Sequence, residues 1–261
     1  MDDIDRFLFE DLKDIGDITS ENLFSNEKAE AKIISKENCI LAGLKEAKKV
    51  FKKTGAKLIL KKTDGEKISK NIIVANVKGP ITSILSGERL ALNFICRMSG
   101  VATETYKLTK KCKKINHNIK IAATRKTTPG FRKYEKKAVE IGGGDPHRFG
   151  LYDAILIKDN HLKFINKPIS NIIKIIKQKE KNKIIEIEVE TEKQALEAAK
   201  TNVDFIMLDN FSPVDGKKIA NKIRKINPNV KIEVSGGITP DNIINFVSYA
   251  DRISLGYLTH S

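Results

Sequence analysis

Four basic side chains lie around a glycine-rich stretch in the middle of the chain. The segment "ATRKTTPGFRKYEKKAVEIGGGDPHRFG" (residues 123–150) contains Arg125, Lys126, His147 and Arg148, together with a Pro-Gly turn and three consecutive glycines. Arginine and lysine hold carboxylates and phosphates, and glycine lets a backbone approach a ligand closely. A basic surface loop would account for any one of these residues alone. Together they predict a pocket for a small, strongly anionic molecule.

Two carboxylates later in the chain follow apolar stretches in the same way. Glu188 lies within "IIEIEVE", and Asp209 closes "DFIMLDN". Carboxylates beside a basic pocket suit Mg²⁺ or sugar hydroxyls. Because Glu186, Glu188 and Glu190 alternate along one strand, they share a face, and a packed core cannot bury three unpaired carboxylates. The simplest interpretation turns Glu186 and Glu190 outward toward helix lysines and leaves at least one carboxylate at the ligand.

Two glycine turns near the end of the chain have the composition of a phosphate site. The first is Ser235, Gly236 and Gly237 in "EVSGGITPDNI", and the second is Leu255, Gly256 and Tyr257 in "SLGY". In βα barrels, backbone N–H groups after the late strands hold phosphate. "SGG" alone is more often a simple turn, but its repetition one unit later favours phosphate binding.

Two other motifs in these stretches predict structural roles. The triple glycine, Gly142 to Gly144, does not have the spacing of a phosphate loop and predicts close backbone packing instead. We expect His161, in "KDNH", to be a structural histidine that bonds a loop carbonyl.

The elements that must position these residues alternate between strands and helices after residue 103. The predicted strands are "IKIAAT", "DAILIKD", "IIEIEVE", "DFIMLDN", "VKIEVSGG" and "DRISLG". Predicted helices follow Pro168, Thr191 (a capping box with Gln194), Ser212 and Thr239. This rhythm predicts a parallel sheet, as a barrel or a doubly wound sheet. Because candidate ligands end several different strands and do not gather at one crevice, the barrel is favoured.

Residues 1–103 predict a smaller α+β domain. A helix spans residues 2–15, strand-like segments surround a short helix that stops at Gly55, and "SGERLALNFICRMSG" predicts a helix with one apolar face. We expect Gly100 to end or kink that last helix.

The composition excludes several classes of protein. The 261 residues are 40% hydrophobic and 31% charged, and no apolar run approaches the ~18 residues of a membrane helix. The acidic start lacks the features of a signal peptide, and three scattered cysteines indicate reduced thiols in the cytoplasm. A net charge of +15 permits nucleic-acid binding, but the basic residues form no stripe interleaved with aromatics. We therefore expect a lysine-rich enzyme with neither a membrane nor a nucleic-acid partner.

The motifs also carry a resemblance. "DITSENLF", "GERLALNFICRMSGVAT", "TRKTTPGFRKYEKKAVEIGGGDPHR", "LIKDNHL", "IEVE", "MLDN", "VSGGIT" and "LGYLTHS" resemble, in order, the quinolinate phosphoribosyltransferase family, also called carboxylating nicotinate-nucleotide pyrophosphorylases. The resemblance implies an N-terminal α/β sandwich domain (residues 1–103) and an open seven-stranded α/β barrel (residues 104–261), with one strand more than the pattern reveals. A related pyrophosphorylase associated with molybdate transport genes is the alternative, and the complete set from "TRKTTPG" to "KDNH" argues against it.

The resemblance implies a reaction and assigns its residues. Quinolinate and phosphoribosyl pyrophosphate would give nicotinate mononucleotide, pyrophosphate and CO2 with Mg²⁺, in a homodimer where Arg89 reaches the partner's site. Substrate-binding residues would be Arg89, Thr124, Arg125, Lys126, His147, Arg148, Lys158, Glu188, Asp209, Ser235, Gly236, Gly237, Leu255, Gly256 and Tyr257. Quinolinate would meet Arg89 from the partner and be surrounded by the basic cluster of Arg125, Lys126, His147 and Arg148. Phosphoribosyl pyrophosphate would meet Lys158, and the two glycine turns would bind its 5′-phosphate. Lys126, Lys158, Glu188 and Asp209 would be catalytic, and Glu188 and Asp209 would hold the metal.

Overall fold

The computed structural model describes residues 2–165 and 167–260, so Ser261 of the "LTHS" motif lies outside it. The chain forms two compact units. The first comprises the residues up to Tyr106 together with Glu140–Gly143, and the second comprises Lys107–Val139 and the residues from Gly144 onward.

The first unit is built on a small antiparallel sheet. Its elements are α1 (Asp3–Leu12), α2 (Ile18–Leu23), β1 (Lys28–Ile34), β2 (Cys39–Ile40), α3 (Leu44–Thr54), β3 (Lys57–Leu60), β4 (Lys67–Ile68) and β5 (Ile73–Pro80). The sheet has the order β1-β5-β3, and β2 pairs with β4. As predicted, α3 stops at Gly55, whose left-handed backbone donates its N–H to the Phe51 carbonyl. The mixture of helices and a small sheet confirms the predicted N-terminal α/β domain.

The long helix α4 (Ile81–Lys113) corrects one expectation. Gly100 neither ends it nor marks its last turn. A glycine inside a helix costs only about 1 kcal/mol, and the buried face continues past it through Val101, Ala102 and Leu108. The division between the two units falls inside this helix, between Tyr106 and Lys107. The predicted division after residue 103 falls inside it as well.

The second unit alternates strands and helices as the sequence predicts. Its elements are β6 (Lys120–Ala122), α5 (Arg132–Ile141), β7 (Ile155–Ile157), α6 (Asp159–Phe164), α7 (Ile169–Lys179), β8 (Ile185–Val189), α8 (Glu192–Ala199), β9 (Phe205–Asp209), α9 (Pro213–Ile226), β10 (Lys231–Ser235), β11 (Arg252–Ser254) and α10 (Tyr257–His260). The six strands are parallel, in the order β6-β11-β10-β9-β8-β7.

A seventh position explains the difference between the six strands of the sequence pattern and the seven of the resemblance. Asp145 forms a single parallel bridge with Ala122 of β6. The segment around Asp145 therefore stands next to β6 at one edge, while β7 forms the other. This arrangement is the open α/β barrel, and its seventh strand is too short to leave a hydrophobic signal in the sequence.

Two helix caps in this unit match the sequence, whereas one predicted helix is wrong. Thr191 and Gln194 form the predicted capping box before α8, and Ser212 caps α9. The helix predicted after Thr239 is wrong, since the structure has only a 3₁₀ turn over Ile243–Asn245. The reason is competition for the backbone. Asn116 donates to the carbonyls of Val247 and Ala250, and Arg224 donates to that of Tyr249, so side chains from elsewhere in the fold hold the end of this segment in its observed path.

Among residues 2–165 and 167–260, no helix has both the length and the apolar character that are needed to cross a membrane.

Candidate active site

The strand order arranges the predicted residues around one rim of the barrel. Parallel strands in such a barrel present their carboxyl ends on the same face. Going from β7 to β6 across the sheet, the strand ends carry Lys158, Glu188, Asp209, the Ser235–Gly237 turn, the Leu255–Tyr257 turn and the Thr124–Lys126 segment. Residues that are more than 100 positions apart in the chain thus become neighbours on the rim.

The acidic part of the rim contains two carboxylates and one lysine. The Lys158 ammonium lies 3.0 Å from a carboxylate oxygen of Glu188, whose side chain is 9% exposed against 43% for the lysine. Burial and the nearby Glu188 raise the pKa of Asp209 above its usual value. Asn210 donates a hydrogen bond of 2.7 Å to Asp209. The two carboxylates therefore share a partly dry site in which a cation is stabilising.

The basic part of the rim contains two arginines with few partners. The Arg125 Nε atom is buried and has no hydrogen-bond acceptor within the described parts of the chain. Arg148 is buried, and its guanidinium lies 3.4 Å from the Ala154 carbonyl. Burial and the charge of Arg125 lower the pKa of Arg148. Two desolvated cations that repel each other form a site that an anion stabilises.

Two threonine hydroxyls hold the backbone of Lys126. Its N–H donates to the Thr124 hydroxyl at 3.1 Å, and its carbonyl accepts from the Thr259 hydroxyl at 2.6 Å. The Lys126 side chain is exposed. Thr124 and Thr259 thus fix the point from which the lysine extends toward the rim.

His147 is placed differently from the other members of the predicted basic cluster. Its backbone is left-handed, with φ of 55°, and its Nδ1 accepts the Arg148 N–H at 2.8 Å. Its Nε2 lies 3.2 Å from Glu186 and 3.4 Å from Glu233. Both ring nitrogens therefore face groups of the protein. In this arrangement the imidazole faces the carboxylates beneath the rim.

Glu186 also departs from expectation. The interpretation that turns it outward toward lysines is wrong, because its side chain is buried and one oxygen lies 3.0 Å from the Arg252 guanidinium. Arg252 also donates to Glu233. Glu190 is exposed, as expected. The ligand atoms of His147, Glu186 and Glu233 lie within 4.8 Å of one another, close enough for a metal, but the Arg252 guanidinium already supplies their cation.

The two glycine turns differ in what they can offer a phosphate. Gly236 and Gly237 are both left-handed, with φ of 87° and 60°, and a Cβ at Gly236 would lie 2.2 Å from the Asn210 side-chain oxygen. Only glycine fits this turn. In the second turn, the side chain of Leu255 is buried and its N–H donates to the Ala122 carbonyl. Gly256 and the start of α10 at Tyr257 remain for a ligand.

The structure also places three other residues that the sequence singled out, Gly142, His161 and Arg89. A Cβ at Gly142 would lie 2.4 Å from the Ala102 carbonyl oxygen, which confirms the predicted close packing at this glycine, whereas a Cβ at Gly143 would meet no atom within 4 Å. His161 accepts the Lys158 N–H at 2.8 Å, so it caps α6 and does not bond a carbonyl as expected. Arg89 is exposed on α4, in the first unit.

Sequence reasoning missed two buried charged residues on α5. Glu135 and Lys136 are fully buried beside Ala138 and Val139. A signal was available, because Glu135 and Val139 are four residues apart and share one helix face. In "RKYEKKAVEI" that face carries a carboxylate where a surface helix would have an apolar residue.

An open α/β barrel that presents two carboxylates, two arginines and two glycine turns at one rim is typical of an enzyme that binds anionic substrates. Comparison with protein families makes this specific. Residues 17–99 match the model described as "Quinolinate phosphoribosyl transferase, N-terminal domain", and residues 101–261 match the corresponding C-terminal domain. The chain belongs to the quinolinate phosphoribosyltransferase family.

Individual relatives agree along nearly the whole chain. A probable nicotinate-nucleotide pyrophosphorylase [carboxylating] of Archaeoglobus fulgidus is 41% identical over 249 residues, covering 94% of each chain. One of Bacillus subtilis is 42% identical and covers 99% of this chain and 88% of its own. The solved nicotinate-nucleotide pyrophosphorylase of Francisella tularensis superposes with a TM-score of 0.91 at 36% identity, covering 99% of this chain and 90% of that one.

Proposed function

We propose that this chain transfers the phosphoribosyl group of phosphoribosyl pyrophosphate to the ring nitrogen of quinolinate, with loss of CO2, in the synthesis of nicotinate mononucleotide for NAD. The observation that carries this proposal is the pair of arginines Arg125 and Arg148 at one rim. Arg125 has a buried Nε without an acceptor in the described structure, Arg148 is buried, and burial together with the charge of Arg125 lowers the pKa of Arg148. A ligand with two carboxylates satisfies both. The names of the relatives supply the identity of that ligand.

The rim residues divide between the two substrates. Arg125, Lys126 and Arg148 hold the carboxylates of quinolinate, while His147 shapes the turn from which Arg148 extends. Lys158 lies on the opposite part of the rim, where the pyrophosphate of the second substrate requires a cation. The Ser235–Gly237 turn and the Gly256–Tyr257 turn offer the 5′-phosphate backbone groups at two adjacent strand ends.

The chemistry needs charge stabilisation more than proton transfer. As the bond from the sugar's anomeric carbon to pyrophosphate breaks, the ammonium of Lys158 stabilises the negative charge on the leaving oxygen. The pyridine nitrogen forms the new bond to that carbon and becomes a cationic ring nitrogen. The bond to the adjacent carboxylate then breaks, CO2 leaves, and the electron pair stays on the ring carbon, which takes up a proton. Arg125 and Arg148 keep the ring in position through these steps.

Magnesium fits the acidic part of the rim. Glu188 and Asp209 supply the carboxylate oxygens that Mg²⁺ prefers, and burial and the charge of Glu188 raise the pKa of Asp209, so a cation beside them would be stabilising. We propose that these two residues hold Mg²⁺ and the ribose hydroxyls. When bound, the ion would neutralise the negative charge on the pyrophosphate group, both in the substrate and as it leaves the sugar. The protein's part is to present both carboxylates from adjacent strands β8 and β9.

Assembly and location complete the proposal. We propose a homodimer in which Arg89 of each chain reaches the partner's barrel, since Arg89 is exposed on α4 and the family resemblance assigns it to the site of the other chain. In a two-fold dimer such a contact occurs twice. We also propose that the enzyme acts in the cytoplasm, where Cys39, Cys96 and Cys112, which are all free thiols in the structure, remain reduced.

The reaction is tested by release of labelled CO2 from carboxyl-labelled quinolinate, with and without phosphoribosyl pyrophosphate. Release that depends on the second substrate supports the proposal, and no release at any Mg²⁺ concentration contradicts it. The shared site is tested by mixing inactive Arg89→Ala and Lys158→Ala proteins. Hybrid dimers contain one intact site, so activity should return. If native mass spectrometry shows hybrids but activity stays absent, Arg89 does not act across the interface.

A further inference from the structure

Two charged side chains on α5 are completely buried. Glu135 and Lys136 each have a relative exposure of 0%. Fully buried carboxylates and ammonium groups are rare unless they are paired, because removing a charge from water is costly. The reaction described above uses neither residue. Their contacts show what they do instead.

Glu135 holds the loop that follows Lys126. The backbone N–H of Thr128 donates to one carboxylate oxygen of Glu135 at 3.0 Å, and the Thr128 hydroxyl donates to the other at 2.9 Å. A carboxylate that accepts both groups of one residue fixes its position and its orientation. Thr128 is two residues from Lys126 and three from Arg125.

Lys136 holds the second substrate loop. Its ammonium group donates to the Pro146 carbonyl and lies 5.5 Å from the centre of the Phe149 ring. Pro146 and Phe149 flank His147 and Arg148 on both sides. Burial lowers the pKa of Lys136 to about 8, because the charged ammonium group is less stable beneath the loop than in water.

We infer that Glu135 and Lys136 are positioning residues: α5 uses one charged side chain for each of the two loops and thereby sets the distance between the arginines that bind quinolinate. This inference rests on the proposed function for the identity of the substrate, whereas the anchoring of the loops stands without it. Simple stabilisation does not account for the pair. Apolar side chains that replace a buried charge together with its partner often leave a protein equally stable or more stable, so stability alone does not require two charged residues on this face of α5.

The first test uses Lys136→Met, with Lys137→Met as the matched change one position along the same helix. Hydrogen exchange of the backbone amides in residues 147–150 reports on the loop, and thermal unfolding reports on the fold. In Lys136→Met the Pro146 carbonyl loses its donor, so we expect a modestly lower unfolding temperature with the fold retained. Exchange in the loop should be faster by roughly tenfold or more, since opening of an unanchored loop sets its rate. We expect the Michaelis constant for quinolinate to rise by roughly tenfold or more, and kcat to change less, because a displaced clamp weakens binding. Lys137→Met should change loop exchange and the Michaelis constant much less than Lys136→Met, since it leaves the bond from Lys136 to the Pro146 carbonyl in place.

The second test separates hydrogen bonding from packing at Glu135. Glu135→Gln retains both bonds, since the amide oxygen can accept the Thr128 N–H and the amide nitrogen can donate to the Thr128 hydroxyl. Glu135→Met retains the volume and loses both bonds. Gln should stay within twofold of wild type in the Michaelis constant, and Met should not. If Met fails to fold, the Gln variant and Lys136→Met still decide the matter.

Three results would overturn the inference. The first is wild-type loop exchange and an unchanged Michaelis constant in Lys136→Met. The second is a loss in Glu135→Gln as large as in Glu135→Met. The third is an equal effect of Lys137→Met. Failure of the proposed function is a separate result: the wild type would then release no CO2 from quinolinate, while the loop would still exchange faster in Lys136→Met.

Discussion

Replacing Lys158 by alanine should remove most of the activity and little of the stability. Lys158 is 43% exposed and lies 3.0 Å from Glu188, so screening limits the pair's contribution to the free energy of unfolding to about 1 kcal/mol. In the reaction the same ammonium meets charge that grows on the leaving pyrophosphate. Loss of one such contact costs about 2–4 kcal/mol, which is a fall of about 30- to 900-fold in kcat/KM.

The assay is release of labelled CO2 at varied concentrations of phosphoribosyl pyrophosphate, together with a thermal unfolding curve. Lys163→Ala is the control, because Lys163 also pairs with a carboxylate, that of Asp159 at 2.5 Å, but is 61% exposed on α6. The control should retain wild-type activity. A kcat/KM for Lys158→Ala within twofold of wild type, or equal to that of the control, would refute the assignment of this lysine to the leaving group.

Four further substitutions test other parts of the rim and the layer beneath it. Arg148→Lys should raise the Michaelis constant for quinolinate by roughly tenfold or more, because lysine cannot make a two-point contact with a carboxylate; an unchanged constant would show that Arg148 is not a ligand. Asp209→Asn, like Glu188→Gln, should weaken activation by Mg²⁺ more than binding of quinolinate. Since burial and Glu188 raise the pKa of Asp209, Mg²⁺ activation of the wild type should decline on acidification at a higher pH than for an ordinary aspartate, and titrations at several pH values should find that step missing in Asp209→Asn. Arg252→Met should cost about 3–5 kcal/mol in denaturant unfolding, because it leaves buried carboxylates without their cation; a loss below about 1 kcal/mol, the value expected for an exposed pair, would contradict this account.

Local patterns were sufficient to predict most of the barrel. Each strand is a short apolar run, and the polar residue that ends it lies on the rim, as at Lys158 and Asp209. The caps at Thr191 and Ser212 depend on contacts within three residues, so the sequence contains all the information they need. The family motifs added the seventh strand position.

Two errors arose where residues far apart in the sequence decide the structure, and a third arose from a local rule. Glu186 is buried because Arg252, 66 residues later, lies against it, and no local pattern contains that pairing. The segment after Thr239 has helical spacing, but Asn116 and Arg224, which lie far away in the sequence, bond the carbonyls at its end and hold it in another path. At Gly100 a local rule was given too much weight against the apolar face that continues on both sides.

The place of β11 in the sheet determines when the basic pocket can form during synthesis. β6 pairs in parallel with β11, which lies between β6 and β10 and is translated about 130 residues after β6. Before then, the ladder contact of β6 within the described chain is the single bridge from Ala122 to Asp145. The Thr259 hydroxyl that holds the Lys126 carbonyl comes later still. A nascent chain therefore exposes the edges of β6 and β10 until its last strand emerges, a state prone to aggregation. A chain truncated before β11 therefore contains Arg125 and Lys126 but lacks the strand and the Thr259 hydroxyl that fix their positions.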